Sequence, residues 1–266
     1  MITQVFKNNA AFQIMSIGSL LLITAVIVSQ LLALCGTGNP TQNMREAVNI
    51  NAKAAQETFQ ELGFFGDIKK EKWNDFVGAV QNNITHSRKE KGNISFSLYK
   101  PEDGKLQPIW FERFENKAAH NYHKEQVYFK DAITVIQQSL AGDAKSITLK
   151  VLDEIPAMIP KITAHNGTDR FVIVLFDVKP EKRKSFIGAM AGIVSPTRKA
   201  QGNLEFNLYG YAEDPNKFVL IEGWQSQADH EAQLKQDYIK QLTIALEGLF
   251  VSNPVDTRYI VKDIAQ

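Results

Sequence analysis

The chain repeats itself at a spacing of 110 residues, and this constrains its fold more than any other feature. GDIKKEKWNDFVGAVQNNITHSRKEKGNISFSLY (66–99) lies over FDVKPEKRKSFIGAMAGIVSPTRKAQGNLEFNLY (176–209) without a gap. At the same offset, IWFERFENKAAHNYHKEQVYFK (109–130) lies over VLIEGWQSQADHEAQLKQDYIK (219–240). Between positions 66 and 140 there are 20 identities in 75 ungapped positions, against about 5 expected from composition alone. The unit was duplicated, so whatever one copy folds into the other must fold into as well.

Each copy reads strand, helix, strand, strand, helix, strand. In the second copy RFVIVLFDV (170–178) is a continuous apolar run of strand length, rich in β-branched and aromatic residues. Pro180 and Glu181 open a helix on which Phe186, Met190, Ile193 and Val194 recur at helical spacing. Gly202-Asn203 breaks it, LEFNLYG alternates as a strand, and a turn at Asp214-Pro215 leads back through KFVLIEGW as a hairpin. Ser226 and Asp229 form a capping-box pattern for a second helix, and TRYIVKDI (257–264) closes the unit. SITLKVL (146–152) closes the first copy. This order is the ferredoxin-like βαββαβ unit, with two helices on one face of a four-stranded antiparallel sheet. The other face is left apolar and needs a partner, which the second copy supplies. The expected fold is therefore α+β: two tandem units closing into an intramolecular dimeric barrel, a pseudo-dimer within one polypeptide.

The expected organisation is a targeting segment over 1–40, a first domain over 56–155 and a second over 166–266, joined by a proline-bearing linker. From Ile14 to Leu34 the chain has 21 uncharged residues, preceded by Lys7. About 20 apolar residues span a bilayer as a helix, so an uncleaved membrane anchor is expected, with the repeats on the extracytoplasmic, periplasmic side. LALC, ending at Cys35, also resembles a lipoprotein processing box. Thirty basic and twenty-nine acidic side chains leave a net charge of +1, so no global field favours nucleic acid. Cys35 is the sole cysteine, which excludes an internal disulfide and a cysteine-ligated metal site.

At GNISFSLY, IWFERF and the helix after it, and again at GNLEFNLY, VLIEGW and QADHEAQL, the sequence resembles the antibiotic-biosynthesis monooxygenase (ABM) family, including its quinol monooxygenase-like members. The resemblance implies a cofactor-independent monooxygenase acting on a quinol or another electron-rich aromatic. The alternative it leaves open is a non-catalytic barrel that binds a small aromatic molecule. The family pattern has a Glu-x-Trp strand ending followed by a helix histidine. Here the ending is Glu222-Gly223-Trp224 in the second copy and Glu112-Arg113-Phe114 in the first, while the histidine is His123 in the first copy and Gln233 in the second. Neither copy has both. Haem-degrading relatives place a Trp at the position of His123 or Gln233 and a His at that of Ile133 or Thr243; both are absent here, so the resemblance argues against haem as a cofactor.

His120 and His230 share one repeat position, and His120 with His123 has the i, i+3 spacing of one helix face. His120, His123 and His230 are the expected catalytic residues, with two other readings open: a metal-ligand pair, or helix histidines without a task. No third histidine or carboxylate has a spacing that completes a metal shell, so neither metal nor cofactor is expected. Tyr99, Tyr209, Tyr128 and Tyr238 recur in both copies as polar-tipped aromatics fit either for a phenol pocket or for core. With Trp224 and Phe114 they are the expected substrate-binding residues.

Overall fold

The computed structural model describes residues 57–161 and 167–265. The apolar run at 14–34, and with it the expected anchor and its placement, lies outside them. Among the described residues no helix is long and apolar enough to cross a membrane.

The first copy runs β1 (Phe59–Phe64), α1 (Trp73–Ser87), β2 (Asn93–Pro101), β3 (Ile109–Phe114), α2 (Lys117–Glu125), α3 (Val127–Ser139) and β4 (Lys145–Val151). The second runs β5 (Arg170–Asp177), α4 (Arg183–Lys199), β6 (Asn203–Tyr211), β7 (Lys217–Trp224), α5 (Gln227–Leu234), α6 (Asp237–Ala245) and β8 (Arg258–Asp263). Both are βαββαβ units, as the repeat demands. One difference is that each second helix is two: Gln126 and Gln236 take extended angles (φ −71, ψ 147 and φ −67, ψ 143) between the helical pieces. The break lets α2 lie over β3 while α3 turns to pack on α1.

All eight strands close into one antiparallel barrel in the order β1-β3-β2-β8-β5-β7-β6-β4. The halves meet edge to edge: Tyr99–Pro101 of β2 pair with Val261–Asp263 of β8, and Leu149–Val151 of β4 with Tyr209–Tyr211 of β6. Hydrogen bonding between edges, as well as apolar contact between faces, therefore joins the two sheets.

Strand alternation divides the side chains between two cores. Leu62, Phe64, Tyr99, Ile109, Phe111, Phe171, Tyr209, Val219 and Ile221 fill the barrel interior. Residues of the opposite parity meet the helices. In the second half Val172, Phe206 and Leu220 pack against Phe186, Ile187 and Met190 of α4. In the first, Phe65 meets Phe76 of α1 and Trp110 edge-on (5.1 and 4.9 Å between ring centres). By this alternation Glu112 of β3 and Glu222 of β7 point outward, beneath α2 and α5.

Candidate functional site

The first half carries a buried cluster of ionisable groups between its sheet and α2. β1 and β3 pair so that Glu61 stands directly opposite Glu112 on the helix-facing side. α2 begins at Asn116, whose side chain accepts the Ala119 N–H (2.9 Å), and this cap fixes the helix so that His120 and His123 both turn down onto the sheet. Glu61, Glu112, His120 and His123 are between 0 and 3% exposed.

His120 Nε2 lies 3.2 Å from Glu112 Oε1, its ring stacked on Phe59 (4.0 Å). Lys117 Nζ approaches its other nitrogen at 3.5 Å. His123 is held differently. Its Nδ1 meets Glu90 Oε1 at 2.7 Å, and Tyr128 donates to the same oxygen (2.5 Å). A carboxylate oxygen accepts, which gives Nδ1 the donor role toward Glu90 and leaves Nε2 as the nitrogen turned away from it. That Nε2 has no hydrogen-bond partner; the nearest carboxylate oxygen, Glu112 Oε2, is 3.9 Å away. Phe96, Phe114, Tyr128 and Phe129 surround the ring.

Burial sets the charge states. It pushes Glu112 up to about 7, against the pull of His123, and raises Glu61, with Glu112 adding to the rise. It drives His120 down to about 3. Glu112 thus becomes a carboxylate that titrates near neutrality, a task for which the sequence offered only histidine.

The second half has lost most of this. Val172 stands opposite Glu222 where the first half has Glu61. Gln233 replaces His123 and forms a neutral chain, donating to Thr197 Oγ1 (3.0 Å) and accepting from Tyr238 (2.6 Å). Trp224 Nε1 donates to Glu222 Oε2 (3.3 Å), with His230 Nε2 at 3.7 Å from the same carboxylate. Burial pushes Glu222 up to about 7 and lowers His230.

The residues expected to bind one substrate fall into two places. Phe114, Tyr128, Trp224 and Tyr238 are in the helix layers, with His120, His123 and His230. Tyr99 and Tyr209 face the barrel interior. There Arg113 forms a buried ion pair with Glu205 of the other half, and its Nε donates to Ser95 Oγ (2.6 Å). A cavity of about 270 Å³ opens beside them, lined in part by Tyr99, Phe171, Ser95 and Asp263.

Glu61 and Glu90 are the members that the sequence did not disclose. The register explains Glu61: Leu175 aligns with Phe64 across the hairpins, an offset of 111, whereas the bridges Ile68↔Leu140 and Val178↔Phe250 keep 110. The first copy has one extra residue near Gly66, which takes φ +61. At a spacing of 110 Glu61 would align with Phe171, a barrel-interior residue. Glu90 aligns with Ala200, so the repeat gave it no signal.

This fold and these motif positions define a tandem ABM-type barrel, and the chain belongs to the antibiotic biosynthesis monooxygenase family, which matches it over residues 62–135 and 170–243. Among relatives, it is 31% identical over 86 residues to the uncharacterised protein sll1783 of Synechocystis sp. and 35% identical over 51 residues to YcnE of Bacillus subtilis, described as a candidate monooxygenase. These matches take in 32% and 19% of this chain and 58% and 54% of the relatives' lengths. A candidate monooxygenase from Fusobacterium nucleatum has the same fold (TM-score 0.72, 22% identity, 78% of this chain and 93% of that one). So does one from Lactobacillus acidophilus (TM-score 0.66, 15% identity, 78% and 93%).

Proposed function

We propose that the protein is a monooxygenase for a small electron-rich aromatic of the quinol type, and that the first half performs the chemistry. The observation that carries this reading is the Glu90–His123 dyad: an imidazole whose tautomer is fixed by a buried carboxylate, leaving an unpartnered Nε2 within an aromatic cage. A base oriented by a third group is what phenol deprotonation requires. Other buried atoms without partners in the same helix layer, both side-chain atoms of Asn83 and the indole nitrogen of Trp110, support it as polar points for a phenolic ligand. Ile193 and Leu220 hold the equivalent positions in the second half.

In the reaction the quinol loses its hydroxyl proton to His123 and the phenolate supplies the electrons to oxygen. One oxygen atom enters the ring and the other leaves as water, so a quinol and O2 give a hydroxyquinone and H2O. The dry site favours the step, since no water competes for the proton or the intermediate.

The test is oxygen uptake by the purified full chain with a panel of quinols, the product traced with labelled oxygen. A positioned base contributes about 100- to 10,000-fold, so His123→Ala should slow turnover by at least about tenfold, while Gln233→Ala leaves it unchanged. Equal rates in all three proteins would remove His123 from the chemistry. A second reading, a binding barrel without turnover, is favoured by the cavity of about 270 Å³ beside Tyr99, and it takes the lead if the unmodified chain oxidises no quinol.

A further inference from the structure

We infer that Glu61, Glu112 and His120 form a binding site for a single divalent first-row transition cation of the manganese or iron type. One donor atom from each of the three lies within 4.8 Å of the other two, and all three residues are buried. Such cations hold nitrogen and oxygen donors at about 2.0–2.2 Å, which places neighbouring donors about 3 Å apart, a distance these three side chains reach by small rotations, leaving the remaining coordination positions to solvent. Two carboxylates and one imidazole are a mixed donor set. Carboxylates suit manganese, imidazole suits iron and zinc, and a soft, thiolate-preferring ion finds nothing here.

Independent features point the same way. Glu61 Oε2 and Glu112 Oε2 are buried without a hydrogen-bond partner, an expensive arrangement for groups that ordinarily take several donors. Lys117 approaches His120 from the Nδ1 side, which leaves Nε2 turned to Glu112 as the ligating nitrogen. The comparison between halves is the most informative. In the second half the carboxylate of Glu222 accepts the indole N–H of Trp224, and its cross-strand neighbour is Val172. In the first half Phe114 removes that donor and Glu61 supplies a second carboxylate. One change frees an acceptor and the other adds one, and the two occur together around a histidine that both halves keep. The cation's double positive charge balances the two carboxylates within the low-dielectric layer. The site lies beside His123, but cation binding stands apart from the oxygenase reading, since it is measured without substrate.

The experiment uses the full chain, stripped with chelator, and Mn2+ as the probe, followed by loss of the free-ion electron paramagnetic resonance signal. One Mn2+ per chain is expected, with Mg2+ a poor competitor. Glu61→Gln and His120→Gln, both near-isosteric, should each weaken binding by at least about tenfold, and Mn2+ should raise the melting temperature of the unmodified chain but not of the variants. Pulsed measurement of nitrogen coupling to the bound ion needs no variant, so a misfolded substitution does not block the test. One imidazole nitrogen is expected. Absence of binding, binding indifferent to Glu61, or bound Mn2+ without nitrogen coupling would each overturn the site. Quinol turnover by metal-stripped protein would leave the oxygenase reading standing by itself.

Discussion

The carboxylates Glu112 and Glu222 show how burial reverses what residue type alone announces. Glu222 makes the cleaner case, because its cross-strand neighbour is apolar and Trp224 is its hydrogen-bond donor. Unfolded, it releases its proton near 4.5; folded, it holds it to about 7. Between these values the folded chain binds more protons, so this group's contribution to stability is complete below about 4.5 and is lost as pH rises toward 7. His230, lowered by burial, acts on the other side: it is kept neutral in the fold, and stability falls as pH drops below its unfolded value of 6.5. Glu222→Gln keeps an oxygen for the indole N–H and removes the charge. The variant should match the parent at pH 4.5 and exceed it at pH 8, by up to about 3 kcal/mol for a shift of this size, in denaturant unfolding at the two pH values. A gain that is the same at both would mean that ionisation of Glu222 is not its source. In the sheet-to-helix layer lie His120, His123, His230 and the Glu-x-Trp carboxylates, which the sequence singled out by repeat position. The sequence could not assign their protonation, because desolvation depends on which neighbours the strand register brings across.

At the scale of elements, the strands, the hairpins and the Ser226–Asp229 cap were legible, the last as a bond from the Asp229 N–H to Ser226 Oγ (3.1 Å). Those features are written in local pattern: two-residue alternation, turn residues, capping chemistry. The breaks at Gln126 and Gln236 were not, because neither residue is a helix breaker and the stop is imposed by packing on α1 and α4. The extra residue near Gly66 was hidden for a related reason: an ungapped match over 75 positions outweighs one slip at its edge. The turn from α4 into β6 depends on Gly202, whose φ is +73 and whose missing side chain would sit 2.3 Å from Asp229 Cγ. Gly202→Ala therefore adds a left-handed strain of about 1 kcal/mol to a collision with Asp229, whose N–H the Ser226 cap of α5 accepts. Gly248 has nearly the same angle (φ +72) and open space around it. In denaturant unfolding Gly248→Ala should cost only the strain, about 1 kcal/mol, and Gly202→Ala at least about twice that. Equal losses would show that Asp229 yields and that the close approach carries no weight.

For the whole molecule the duplication makes a barrel that a homodimer of one unit could also build, and the chain departs from that symmetry in its interior. Arg113 of the first half meets Glu205 of the second. The positions related by the repeat are Gly223 and Ser95, so the reverse pair does not exist. A homodimer of the first half would enclose two arginines and no Glu205; one of the second would enclose two glutamates and no arginine. Removing one partner of a buried ion pair costs about 3–5 kcal/mol, and either homodimer incurs it twice. Apolar burial still drives association, because a lone half exposes Leu62, Phe64, Tyr99, Ile109, Phe111 and Leu149 along with the edges of β2 and β4. Residues 56–155 expressed alone should therefore self-associate weakly or aggregate, and should form a one-to-one complex when co-expressed with residues 166–266. Ser95→Glu restores a carboxylate opposite each arginine, and should turn the isolated first half into a stable dimer at sedimentation equilibrium. A soluble, folded monomer of either half would refute the requirement for a partner; a tight homodimer of the unmodified first half would show that the Arg113–Glu205 pair does not choose it.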